Sequence, residues 1–260
     1  MHIILLSLIA GVVGMGIGAI LTALFGTKTD KMTSIFLSFA GGVMLAIVFI
    51  ELIPESVELS SVPISVIGIV IGVAMVFVLN NIVDRISSKK SGEKMHESFA
   101  EFFHSNDVIA RKKSMLRSGM IMIVAIGLHN VPEGLALGAA GQRDAALGFT
   151  LALLIALHNI PEGMAVAVPL TAGGLSKFKS IIITALVGAT TIVGAVLGVL
   201  IGGISDIAVG VSFAIASGAM LYVVLAEILP QSIMMSKNRM PTVFALIGII
   251  VGILFIELVH

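Results

Sequence analysis

The sequence predicts an all-α polytopic membrane protein with eight transmembrane helices. Three observations carry that prediction. Charge is scarce: Asp, Glu, Lys and Arg make up 12% of the chain, against about 25% in a soluble domain. Apolar residues make up 58%, and the mean hydropathy is +1.15. Apolar runs long enough to cross a hydrocarbon core of about 30 Å, which takes about 20 helical residues, recur along the whole chain. Only helices and closed barrels satisfy every backbone hydrogen bond in lipid, and the sequence lacks the alternation of a barrel strand.

The runs are 3–25, 33–54, 62–83, 116–140, 145–170, 180–204, 207–230 and 241–259, making 1–260 a single transmembrane domain. The first has no basic n-region and no small-residue cleavage site after it, so it reads as helix 1 and not as a signal peptide. Without cysteine, disulfides and thiolate ligands are excluded. A net charge of zero gives no footing for nucleic acid. Trp is absent and Tyr222 is the one tyrosine, so no aromatic belt marks the interfaces.

Basic residues set the orientation. Lys28 and Lys31 lie between helices 1 and 2. Arg85, Lys89, Lys90, Lys94, Arg111, Lys112, Lys113 and Arg117 lie between helices 3 and 4. Lys177 and Lys179 follow helix 5, and Lys237 and Arg239 follow helix 7. Of the 15 Lys and Arg, only Arg143 falls in the other set of connections. The positive-inside rule puts the rich set in the cytoplasm, and both termini then lie outside. The one long connection, 85–115, is polar and mixed in charge, and it contains His96 and His104. It reads as a solvated cytoplasmic loop, with a metal-sensing role as the alternative.

Two stretches repeat. "MLAIVFIELIPES" in helix 2 and "MLYVVLAEILPQS" in helix 7 align Met44 with Met220, Glu51 with Glu227 and Pro54 with Pro230. By the topology above the two helices run in opposite directions, the pattern of inverted repeats around a midplane site in secondary transporters. Small-residue packing between membrane helices explains matched Gly and Ala, but not a matched Glu.

A second repeat carries the chemistry. "GLHNVPEGLALG" in helix 4 is echoed by "ALHNIPEGMAVA" in helix 5. His129 and Glu133, like His158 and Glu162, are four residues apart and share one helix face. Pro132 and Pro161 cannot donate to the carbonyls of Leu128 and Leu157, which predicts a loosened or kinked helix at each motif. Both His–Glu pairs fall near the bilayer middle on neighbouring antiparallel helices. Two imidazoles and two carboxylates make a first shell for zinc, iron, manganese or a similar dication. Two Glu charges neutralise that dication, which lowers the cost of ionised groups in hydrocarbon. Asn130 and Asn159 offer amide oxygens on an adjoining face, suited to a harder ion or a secondary metal position.

The paired HNxPEG motif, in an eight-span chain with a cytoplasmic 3–4 loop, resembles the ZIP (Zrt/Irt-like) divalent metal transporters of the prokaryotic branch. The resemblance covers nearly the whole chain. It implies a multi-pass cell-membrane protein that carries zinc, with iron, manganese or cadmium as competitors, into the cytoplasm. It also implies a homodimer and an elevator-like movement of a helix bundle, with the metal as cargo and no cofactor. By motif match His129, Glu133, His158 and Glu162 carry the site. Met44 falls where relatives place a helix 2 methionine ligand, which favours softer ions. Relatives often carry a helix 6 glutamate that closes a second metal site. Thr191 stands there instead, which points to one tight ion.

Glu51 and Glu227 read as transport-path or gating acids, with interhelical hydrogen bonding as the alternative. Glu55, Glu58 and Glu257 lie toward the outer surface, where acids attract cations. Two other functions use the same residues. An intramembrane metalloenzyme needs an open metal position and a general base, but Asn130 and Asn159 replace the Glu of HExxH. A proton-coupled transporter of another solute uses His and Glu as a relay, and binding of a dication discriminates the two.

Overall fold

The structure is a computed structural model that describes residues 2–25, 29–91, 108–143, 145–201, 205–236 and 238–259. Among the described residues all regular structure is helical. Eight helices are long and apolar enough to cross a membrane, and we number them α1 (His2–Phe25), α2 (Asp30–Leu59), α3 (Val62–Ser91), α4 (Val108–Arg143), α5 (Ala145–Ala172), α6 (Lys177–Leu200), α7 (Asp206–Met235) and α8 (Met240–Val259).

Local chemistry sets their ends. Thr29, Ser176 and Ser205 cap α2, α6 and α7, each side-chain oxygen accepting an N–H three residues on, which satisfies a donor that has no partner inside its helix. Gly174, with φ of 98°, turns the chain between α5 and α6, a backbone conformation that glycine adopts freely. The polar connection 85–115 is helical at both ends, up to Ser91 and from Val108. His96 and His104 lie outside the described residues.

Two helices run past the prolines at which the apolar pattern ends. In α2 a π-helical turn, Val48–Leu52, leads into Pro54, and the helix resumes to Leu59. In α7 the π turn Val223–Ile228 leads into Pro230, and the helix resumes to Met235. Each proline lacks an N–H for the carbonyl four residues earlier, and each sits in the first turn of the resumed helix, where that loss is tolerated. Glu51 and Glu227 therefore both stand on π turns.

The helices sort into two groups of four. In one, α5 packs on α1 and α4, and α4 on α6; in the other, α2 packs on α8, and α3 on α7. Within each pair, glycine brings backbone against backbone. A Cβ added to Gly134 of α4 would lie 2.0 Å from the carbonyl oxygen of Thr191 in α6. One added to Gly72 of α3 would lie 2.0 Å from that of Ile215 in α7. Small residues drive association in lipid because close approach maximises dispersion contact. The groups meet along α2 and α5, and along α4 and α7. The motif helices are central: 69% of the most apolar window of α5 is buried, against 22% for α3 and α8.

Candidate metal-ion site

Helix α4 passes through Pro132, and α5 through Pro161, without leaving α-helical geometry. Both motifs therefore sit inside continuous helix, and a π turn and a break lie in the helices packed against them. Helix α1 has a π turn at Ile9–Val13. Helix α6 breaks at Ala189, which separates Lys177–Gly188 from the segment that begins at Thr190. The two irregularities meet, since a Cβ on Gly11 would lie 2.1 Å from the carbonyl oxygen of Gly188. The motif glycines make the same kind of contact. Gly134 packs on the α6 backbone at Thr191, and Gly163 on the α1 backbone at Met15. These glycines dock a neighbouring helix.

The two continuous helices hold the ionisable residues one turn apart on the inner faces. His129 Nε2 lies 2.8 Å from Glu133 Oε1 and 3.4 Å from Glu162 Oε1 across the α4–α5 interface. One ligand atom from each of the three fits within 4.8 Å of the other two, and all three residues are buried. Among the described residues neither oxygen of Glu162 accepts a hydrogen bond, and His129 Nδ1 makes none. Two carboxylates that face each other in a dry interior repel strongly, and a cation between them removes that repulsion. His158 stands one helical turn before Glu162 on α5; its side chain lies outside the described residues.

Neutral oxygens lie beside this cage. Asn159 Nδ2 donates to the carbonyl oxygen of Ala10 in the π turn of α1, at 2.9 Å. Its Oδ1, both amide atoms of Asn130 and Oγ1 of Thr191 are buried without a partner among the described residues. A Cβ on Gly11 would lie 2.8 Å from Thr191 Oγ1, and one on Gly14 would lie 2.9 Å from Asn159 Cβ, so both side chains abut that π turn. Met44 is fully buried on α2, the helix of the second group that packs on α5.

The two matched glutamates have unlike surroundings. Glu51 lines a crevice between the helix groups with Val43, Ile47, Leu157, Gly252, Phe255 and Ile256, and Leu157 is the residue before His158. Glu227 is buried. It accepts hydrogen bonds from Asn80 at 2.8 Å, Ser118 at 2.9 Å and Gln231 at 3.2 Å. Asn80, Ser118 and Gln231 escaped the sequence reading, although polar side chains inside apolar spans are a signal that could have found them.

Comparison with known proteins completes the picture. A profile described as ZIP Zinc transporter matches residues 1–260. The chain belongs to the ZIP zinc transporter family. It is 34% identical over 253 residues to "Zinc transporter ZupT" of Chlorobium chlorochromatii, covering 95% of this chain and 92% of that one. The protein of the same name from Corynebacterium glutamicum is 32% identical over 257 residues (95% and 93% covered), and that from Chlorobaculum parvum 32% over 237 residues (87% and 86%). As a ZIP protein the chain is a multi-pass cell-membrane transporter of divalent metal ions, and not an enzyme.

Proposed function

We propose that this ZIP protein carries zinc into the cytoplasm, with His129, Glu133, His158 and Glu162 as the ligands of one ion near the membrane midplane. The observation that carries the reading is the buried convergence of His129, Glu133 and Glu162 from antiparallel helices. Donors about 2.1 Å from a zinc ion at tetrahedral angles lie about 3.4 Å from one another. The separations of 2.8 and 3.4 Å around His129 Nε2 need little adjustment to reach that arrangement. Two carboxylates and a dication sum to zero charge, the state that the hydrocarbon interior tolerates.

Iron, manganese and cadmium suit the same donors, and Met44, buried on α2, biases the site toward the softer ions as a further ligand. Asn130 and Asn159 form a neutral secondary position, and Thr191 adds no charge to it, so one tight ion binds per chain. Glu51, on the crevice that reaches α5 beside His158, passes ions from the outer side. The inward direction is what the resemblance to ZIP transporters implies, and the positive-inside pattern places the α3–α4 connection on the receiving side, with both termini outside. The lightly buried α3 and α8 offer surface to lipid and to a partner chain in a homodimer.

The test is zinc uptake by proteoliposomes. His158→Ala and Glu133→Ala each abolish saturable uptake while the protein still elutes as a single folded species. Saturable uptake that survives both substitutions removes the site.

A further inference from the structure

Glu51 and Glu227 occupy matching places in repeated sequences, yet one lines a crevice and the other is enclosed. The enclosure is built from both helix groups. Ser118 belongs to α4, in the group that carries the His129 cage. Asn80, on α3, and Glu227 and Gln231, on α7, belong to the other. Ser118 Oγ donates to Glu227 Oε2 at 2.9 Å, and Gln231 Nε2 donates to both Ser118 Oγ and Glu227 Oε2. Asn80 Nδ2 donates to Glu227 Oε1 at 2.8 Å and to the Tyr222 hydroxyl at 3.2 Å. Arg117, again on α4, donates from Nη2 to Asn80 Oδ1 at 2.9 Å and so ties the groups a second time.

The place of this network gives it meaning. Ser118 precedes His129 by eleven residues on one continuous helix, a distance of about 16 Å along the axis, toward the end where α3 connects to α4. At the opposite end of the seam a small crevice beside Glu51 is lined by α2 and α8 of one group and by Leu157 of α5 in the other. On the α3–α4 side of the cage, by contrast, polar contacts join the two groups directly. A buried carboxylate that holds hydrogen bonds from two bodies resists their separation, because parting leaves the charge unsolvated until water enters.

We propose that Ser118, Glu227 and Gln231, braced by Asn80 and Arg117, form a latch between the two helix groups, and that the cage opens toward the α3–α4 end only when this latch breaks. Glu227 then acts as a fastening and not as a stopping place for the ion. The inference rests on the transport reading of the cage, but its test needs no metal.

The chain has no cysteine, so nitroxide labels go to chosen sites alone. Lys112→Cys on α4 and Ile233→Cys on α7 are both exposed, and the distance between them reports separation of the groups at the latch end. In metal-free protein in nanodiscs the parent pair gives one short distance. Ser118→Ala and Gln231→Leu each raise the longer-distance population about tenfold relative to the short one, equivalent to about 1.4 kcal/mol. Ser118→Thr, which keeps the hydroxyl, retains the parent distribution. A parent-like distribution in both Ser118→Ala and Gln231→Leu overturns the latch, as does a shift in Ser118→Thr as large as that in Ser118→Ala. Zinc uptake surviving Glu133→Ala and His158→Ala, by contrast, removes the transport reading and leaves the distances standing.

Discussion

Glu162→Gln tests the charge logic of the cage with almost no change in shape. Glu162 is fully buried, and its Oε1 lies 3.4 Å from His129 Nε2 across the helix interface. The substitution keeps the volume and one oxygen donor and removes one negative charge. With a dication about 2.1 Å from that oxygen, which carries about half of the carboxylate charge, Coulomb attraction to this oxygen alone at an effective dielectric of about 20 is about 8 kcal/mol. The amide dipole recovers much of this, but if a third of it is lost the deficit is still about 2.7 kcal/mol, or about a hundredfold in affinity. The bound state would also carry net positive charge into hydrocarbon, which costs more again. Calorimetric zinc titration of the purified protein should show binding weakened at least a hundredfold, with a thermal midpoint in metal-free detergent solution at or above that of the parent, since one of two opposed carboxylates is gone. Zinc affinity within about threefold of the parent refutes the two-carboxylate cage.

Three other expectations follow from the same geometry. Gly134→Ala drives a Cβ to 2.0 Å from the Thr191 carbonyl oxygen; α4 and α6 must part, and thermal unfolding in detergent should register a loss of about 1–3 kcal/mol, whereas an unchanged midpoint means the contact is not rigid. Thr191→Glu adds a carboxylate among the buried oxygens of Asn130 and Asn159 and should raise the stoichiometry, read by equilibrium dialysis, from one tight ion per chain to two. Two tight ions in the parent already would refute the single-ion reading. Met44→Leu conserves volume and should cost under about 1.5 kcal/mol of stability, while competition uptake shifts away from cadmium relative to manganese; unchanged competition makes Met44 a packing residue.

The parts of this protein that were legible in its sequence are those written in local chemistry. Eight apolar runs announced eight helices because hydrocarbon permits little else. His129 and Glu133 fell on one face because four residues make about one helical turn. Their meeting with Glu162 followed from the requirement that a buried dication find two opposite charges. The backbone detail was less accessible. Pro132 and Pro161 drew attention to α4 and α5, which stay helical, while two irregular turns in the helices packed against them, at Ile9–Val13 and Ala189, fall where the sequence holds no proline. Those turns answer to packing at Gly11 and Gly188, and a contact between two helices leaves no periodic trace in either. Glu227 shows the same limit: its match to Glu51 was visible, but its partners Asn80 and Ser118 come from α3 and α4.

The glycine contacts also decide where this protein is stiff. Where backbone meets backbone, as at Gly134 and Thr191 or at Gly72 and Ile215, there are no intervening rotamers to absorb a displacement, so each helix group yields as a block. Along the seam between the groups, Val43, Ile47 and Leu157 border a crevice, and side chains of that kind accommodate sliding by changing rotamer. A bilayer that thickens or thins presses on the protein through mismatch at its helix ends. That load is taken up at the seam, while His129, Glu133 and Glu162, all carried by α4 and α5 of one block, keep their spacing. The spacing of these three ligands is in this way insulated from the lipid, and Met44, carried by α2 of the other block, is the donor that movement at the seam displaces.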